Sequence, residues 1–177
     1  MNEMPRRKST RLKGYDYSSV GAYFVTLCTH NRKCLFSTIV GAIHESPENK
    51  LTEYGKITKQ IIEMLPDRFN ILIPKYIIMP NHVHLIIAIK NDIDKRAIRE
   101  SPLQRQRSVL DKTVGFLKMN ASKKIHDTYD GKIWQRSYHD HIIRCEKEYQ
   151  KIWKYIDSNA IKWENDCFYI SEKGAIS

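Results

Sequence analysis

"IIMPNHVHLIIAIK", residues Ile77 to Lys90, sets two histidines, His82 and His84, one residue apart inside an apolar run. In a strand, residues i and i+2 point to the same face, so the two imidazoles stand side by side. In a helix they would lie ~200° apart and could not easily share an ion. The flanking Ile77, Ile78, Val83, Leu85, Ile86, Ile87 and Ile89 read as a strand covered on both faces. Burying an unpaired polar group costs about 1–3 kcal/mol, so two adjacent ones need compensation. Two kinds stay open. Each imidazole bonds a neighbour in the core or at an exposed strand end, or both offer neutral nitrogens to one divalent cation.

Working outward, Pro80 suits a strand start but not a central ladder, so the region reads as two strands or one interrupted strand. Upstream, "AYFVTLCTH" is β-branched and aromatic, a strand. "LTEYGKITKQIIEML" places Leu51, Tyr54, Ile57 or Thr58, Ile61 and Leu65 at helical spacing, and Pro66 is expected to stop that helix. Downstream, "SVLDKTVGFLKMNASKKIH" is a helix with Leu110, Val114, Leu117 and Ala121 on one face. "IWQRSYHDHIIR" is a fourth extended segment. "EKEYQKIWKYIDSNAIKWEN" is a third helix, entered by acidic residues that suit its dipole. The first six elements run βαββαβ. That order predicts an α+β, ferredoxin-like antiparallel sheet with helices on one face. Two polar stretches, 41–50 and 91–107, separate elements; they share the echo "AIHESP" and "AIRESP", too short for a structural repeat.

The chain of 177 residues reads as one domain, 1–177, with a net charge of +10 that favours an anionic partner, nucleic acid above all. Cys28, Cys34, Cys145 and Cys167 have no CxxC spacing, so neither a zinc ribbon nor a disulfide framework is expected. There is no apolar signal-peptide region and no run of membrane-spanning length, which predicts a cytoplasmic protein. Residues 1–17 form a basic arm with Arg6, Arg7, Lys8, Arg11 and Lys13, either a solvated tail or a phosphate-binding arm.

A second pair, His139 and His141 in "YHDHIIR", also has i, i+2 spacing. Its segment is more polar and reads as a sheet edge, facing surface or DNA; a supporting role for His141 stays open. On the third helix, Tyr149, Ile152, Trp153, Ile156 and Ala160 make one apolar stripe. Tyr149 lies on it as core, whereas Tyr155 sits ~120° off its centre, where packing does not explain it. Asn159 is one turn above Tyr155 on the same side. A phenol and an amide so stacked could face a metal site on the sheet; Tyr155 could also be an ordinary boundary tyrosine.

"MPNHVHLII" resembles the HUH motif (histidine, bulky apolar, histidine) of single-tyrosine transposases. The chain as a whole resembles their REP-associated branch, through "GYDYSSVGAYFVTLCTHNRKCLF", "MPNHVHLII", "IWQRSYHDHIIR" and "YIDSNAIKW" in order. The resemblance implies an HUH-type fold and metal-dependent cleavage and transfer of single-stranded DNA at palindromic hairpins. His82 and His84 match the metal-binding histidines, Tyr155 the nucleophile and Asn159 the third, polar ligand of one Mg²⁺ or Mn²⁺. Relatives commonly have proline after this asparagine; here it is Ala160. Lys118, Arg136, His141 and the basic arm are expected to touch DNA. Trp134, Tyr138 and the tyrosines of "GYDY" are either base-stacking or core residues. The resemblance allows a monomer or a homodimer. The alternatives are an inactive hairpin-binding protein of the same fold and a rolling-circle replication initiator.

Overall fold

The computed structural model describes residues 17, 19–41, 47–90 and 107–169. Six strands and three α-helices follow in the order β1 (Gly21–Cys28), β2 (Ser37–Val40), β3 (Glu48–Leu51), α1 (Glu53–Phe69), β4 (Ile71–Ile78), β5 (His82–Ile89), α2 (Val109–Ile125), β6 (His139–Ile143) and α3 (Glu146–Ser158). The main sheet is antiparallel in the order β4-β5-β1-β6. This is the ferredoxin-like arrangement read from the sequence, since β5 returns from β4 between the two strands that α1 connects. Strands β2 and β3 form a separate two-stranded ribbon inserted before α1.

Alternation on the two central strands divides the molecule. Tyr23, Val25 and Leu27 of β1 join Val83, Leu85, Ile87 and Ile89 of β5 in one core. The same core takes Ile61, Ile62 and Leu65 from α1 and Leu110, Val114, Leu117 and Ala121 from α2. The first two helices thus share one face, as expected. The other face carries Cys28, His82 and Ile86, all buried, and α3 lies over it with Ile156 inward. Strand β5 is therefore covered on both sides, which accounts for its nearly continuous apolar character.

Local signals set most boundaries. Thr52 caps α1, its hydroxyl accepting from the Gly55 N–H at 3.1 Å, and Ser108 caps α2 in the same way from Asp111. Pro74 sits in β4, an edge strand whose register slips between Leu72 and Lys75, so the missing N–H is absorbed by a bulge. Pro80 lies in the turn between β4 and β5, where its carbonyl receives the N–H groups of Leu35 and Phe36 at 2.8 and 3.0 Å.

Several expectations need correction. Pro66 does not stop α1, which runs on to Phe69; the stop is Asn70, in the left-handed conformation at φ 49°. A proline in the last turns forfeits one carbonyl bond at the end of a helix rather than in its middle, and the buried Ile61, Ile62 and Leu65 hold the segment. Leu51 ends β3 instead of opening the helix face, and part of the supposed loop 41–50 is that strand; residues 42–46 and 91–106 lie outside the described residues. The fourth extended segment is regular only over β6, joined upstream by an isolated bridge between Thr29 and Trp134. The third helix ends at Ser158, and a short 3₁₀ turn, Trp163–Asn165, follows. Tyr149 is half-buried against Trp153 rather than core, while Trp134, packed on Phe36 with centroids 4.8 Å apart, and Tyr17 are core. Among the described residues no helix is long and apolar enough to cross a membrane.

Gly55 is fixed by contact, not conformation. A Cβ there would meet the Phe36 carbonyl oxygen at 2.0 Å, where α1 docks on the ribbon. Gly55→Ala gains ~1 kcal/mol of helix propensity. Overpacking costs about 1–3 kcal/mol or more, and a clash with backbone puts it at the upper end. The melting temperature should fall; an unchanged or raised value in thermal unfolding contradicts this packing.

Candidate metal and tyrosine site

The two histidines occupy the first and third positions of β5, on the face turned away from the main core, and both are fully buried. Their ring centroids are 4.5 Å apart. The Asn81 amide nitrogen donates to the Phe168 carbonyl at 2.8 Å and to the Arg32 carbonyl at 3.2 Å. Its oxygen therefore accepts the Nδ1–H of His82 at 3.0 Å, which leaves a lone pair on His82 Nε2. That Nε2 is buried without a hydrogen-bond partner. His84 is held at Nδ1 by the Thr26 hydroxyl, 2.9 Å away across the β1–β5 pair, and its Nε2 lies 3.2 Å from the Tyr155 hydroxyl.

Helix α3 and the turn after it supply the rest. Tyr155 is 38% exposed, half out of the apolar stripe as its position on the helix predicts, and its ring meets Phe24 edge-on at 6.1 Å. Asn159, at the C-terminal cap, is buried; its Nδ2 donates to Asp166 Oδ2 at 2.8 Å, while its Oδ1 is buried with no partner. The Tyr155 hydroxyl also reaches Asp166 Oδ2, at 3.4 Å. Asp166 is held in turn by the Phe168 N–H on Oδ1 at 2.7 Å. Ligand atoms of His82, His84 and Asp166 lie within 4.8 Å of one another.

This group can hold a metal ion. Two lone pairs, on His82 Nε2 and Asn159 Oδ1, are buried without a donor, which is costly unless a cation meets them. Burial pushes the His82 pKa down to about 4 and that of His84 well below its ordinary value, so both rings are neutral at pH 7, the form that binds metal. Burial, with the Asp166 carboxylate beside it, pushes the Tyr155 phenol up to about 12.

His82, His84, Tyr155 and Asn159, dispersed over the chain, thus come together. The sequence reading missed Asp166. It follows α3 by a short turn, and no spacing rule ties a lone acid in "WENDCFY" to a strand far upstream. The expected DNA contacts fare differently. Lys118 lies on α2, on the opposite side of the sheet, and donates to the carbonyls of Gln135, Arg136 and Ser137. Its half-buried ammonium thus pins the loop before β6. Arg136 is exposed; His141 is exposed and bonded to Glu148 at 2.6 Å. Tyr138 is half-buried, its hydroxyl on Asp111 at 3.0 Å. Arg6, Arg7, Lys8, Arg11 and Lys13 lie outside the described residues.

The buried imidazoles make stability depend on pH. Each binds a proton more readily in the unfolded chain, near pH 6.5, than in the fold. The stability they confer is whole above about pH 6.5 and is lost as pH falls toward 4, the folded value for His82. Thermal unfolding in chelator should show that decline, and His82→Gln should flatten it. A level melting temperature from pH 7 to about 4.5 contradicts neutral burial.

No family model matches the sequence. Over 177 aligned residues, 93% of this chain and 93% of the relative, it is 36% identical to an uncharacterized protein of Haemophilus influenzae. It is 26% identical over 148 residues, covering 83% of this chain and 74% of the relative, to a protein of the same organism named "Putative REP-associated tyrosine transposase". A solved structure of a REP-associated tyrosine transposase bound to a REP hairpin matches the fold with a TM-score of 0.55 at 20% identity, over 92% of this chain and 74% of that one. The chain belongs to one family with the uncharacterized H. influenzae protein; it is similar in sequence to the putative REP-associated tyrosine transposase and shares the fold of the solved one.

Proposed function

We propose that this chain cleaves and rejoins single-stranded DNA at palindromic hairpins, with Tyr155 as nucleophile and a divalent metal bound beside it. The observation that carries this reading is the Tyr155 hydroxyl, 3.2 Å from His84 Nε2 at the mouth of a buried group of two neutral imidazoles, an amide and a carboxylate. The relation to transposases, one of them solved on a hairpin, supports the substrate.

His82 and His84 would hold the ion through ring nitrogens, with Asn159 Oδ1 and Asp166 as oxygen donors. A mixed nitrogen and oxygen set without thiolate does not identify the ion by itself; Mg²⁺ or Mn²⁺ is what the resemblance to HUH transposases implies. When bound, such an ion polarises the scissile phosphate and offsets the charge that develops on it. The chain's own groups do the rest. A phenol pushed up to about 12 is protonated at neutral pH, so it must lose its proton as it reacts. Asp166 Oδ2, at 3.4 Å, is placed to accept that proton. The phenolate oxygen forms a bond to phosphorus while the bond from phosphorus to the 3′ oxygen breaks. The leaving oxygen takes up a proton to become a 3′-hydroxyl, and the 5′-phosphate stays on Tyr155. Attack by another 3′-hydroxyl reverses these changes and joins the new end without ATP, because the phosphotyrosine keeps the phosphodiester energy. A base-paired strand would have to leave its stack to reach this tyrosine, which favours unpaired DNA.

The test uses labelled hairpins with single-stranded flanks, taken from the DNA beside the chain's own gene, with Mg²⁺ or Mn²⁺. The chain should form an adduct that survives denaturing gels, and mass spectrometry should place it on Tyr155. Tyr155→Phe keeps the ring and should bring the adduct to background; Tyr149→Phe should retain it. Cleavage that persists in Tyr155→Phe, leaving a free 5′-phosphate, points instead to a nuclease that uses water. An inactive hairpin-binding protein would bind and form no adduct.

The ligand set is tested by Mn²⁺ binding without DNA. His82→Ala or His84→Ala should abolish it. Asn159→Ala and Asp166→Asn should each weaken it by at least the order of 10–100-fold that losing even a group behind a metal ligand costs. Unchanged Mn²⁺ affinity in Asp166→Asn would remove that carboxylate from the site.

A further inference from the structure

The second histidine pair sits where the first would need a companion. Across the sheet, His84 faces Thr26 and Thr26 faces His139; in the next row Ile86 faces Phe24 and Phe24 faces His141. Directly opposed residues share a face, so His139 and His141 look out on the same side as the metal-binding group. Two interstrand spacings separate His139 from His84, about 10 Å.

Helix α3 covers this face unevenly. Towards β4 it is tied down by the Lys75–Asp157 ion pair and by the Lys75 ammonium 4.8 Å over the Trp153 ring. Towards β6 the link is the His141–Glu148 contact. There Phe24 is half-buried, His139 and His141 are exposed, and Tyr155 opens to solvent with its edge on Phe24. Asp140, between the two histidines, is opposite Val25 and so lies on the other face. The Glu148 carboxylate is occupied by the His141 ring and the Arg144 N–H at 2.8 Å. The two histidine rings also differ: that of His141 is engaged, whereas that of His139 makes no hydrogen bond or ion pair among the described residues.

We propose that this open half of the face, over β1 and β6, seats the unpaired DNA next to the scissile phosphate, with His139 donating a ring N–H to a backbone phosphate a few nucleotides away. Phe24 offers an aromatic floor on which a base can stack. This rests on the reading of the site as a single-strand DNA enzyme. His139 is a positioning residue in it; it holds the strand in register with Tyr155 and does not touch the reacting atoms.

The experiment measures equilibrium binding of the same hairpin with its single-stranded flank. The full chain carries Tyr155→Phe so that no covalent product forms. Methylphosphonates, which remove one phosphate charge at a time, are placed along the flank. At one position the neutral linkage should weaken binding about tenfold, the size of a hydrogen bond to a charged group. Adding His139→Ala should weaken the unmodified hairpin by a similar factor and should erase the penalty at that position alone. Thermal unfolding confirms that the exposed substitution leaves the fold intact. Unchanged affinity in His139→Ala, or penalties that simply multiply at every position, overturns the placement of His139 while leaving the tyrosine chemistry standing. No binding of the flanked hairpin by the Tyr155→Phe chain overturns the enzymatic reading and this inference together.

Discussion

Two imidazoles side by side on a strand that is buried on both faces form the constraint around which the rest of this fold is arranged. Neither ring has access to water, so each nitrogen needs a partner within the protein. Asn81 and Thr26 serve the two Nδ1 atoms from the turn before β5 and from the neighbouring strand. The two Nε2 atoms then point together, one toward Tyr155 and one toward no hydrogen-bond partner at all. An arrangement that leaves buried lone pairs converging is costly for stability and useful for holding a cation. It is the kind of local conflict with folding rules expected at a functional site.

The alternation of β1 and β5 lets this conflict sit next to an ordinary core without weakening it. One face packs the aliphatic residues of α1 and α2. The other is given over to polar and aromatic groups and is closed by α3. The turn after α3 is drawn back to the site by Asn81, which holds the Phe168 carbonyl, and by Arg32, whose guanidinium donates to the Cys167 carbonyl at 3.1 Å and lies 5.4 Å from the Phe168 ring. Asn31 and Arg32 both have positive φ, 52° and 54°, an unfavourable conformation for residues with a Cβ. The contacts of Arg32 with the distant turn help to offset that strain, and they place Asp166 beside the imidazoles.

One carboxylate then has several neighbours at once. Asp166 accepts from Asn159 and lies within reach of Tyr155, and its charge raises the phenol's pKa along with burial. Without a cation the Tyr155 phenol is held in its protonated form. His84 Nε2 and Asp166 Oδ2 thus both join the phenol directly to the group that can hold a metal ion.

The sequence by itself determined the order of the main-sheet strands and helices, the common face of His82 and His84, and the separation of Tyr155 from its helix's apolar stripe. These depend on local periodicity, which period-2 and period-3.6 patterns report directly. It also carried the four blocks on which the resemblance to transposases rests. Tertiary structure alone decided what periodicity cannot encode. The ribbon of β2 and β3 is too short and polar to show a pattern. Pro66 continues a helix because buried neighbours outweigh one lost bond. Lys118 is drawn to three carbonyls of a loop that only folding brings near. Above all, Asp166 and the row from His84 through Thr26 to His139 exist as neighbours only because antiparallel pairing and a returning turn bring together residues far apart in the chain.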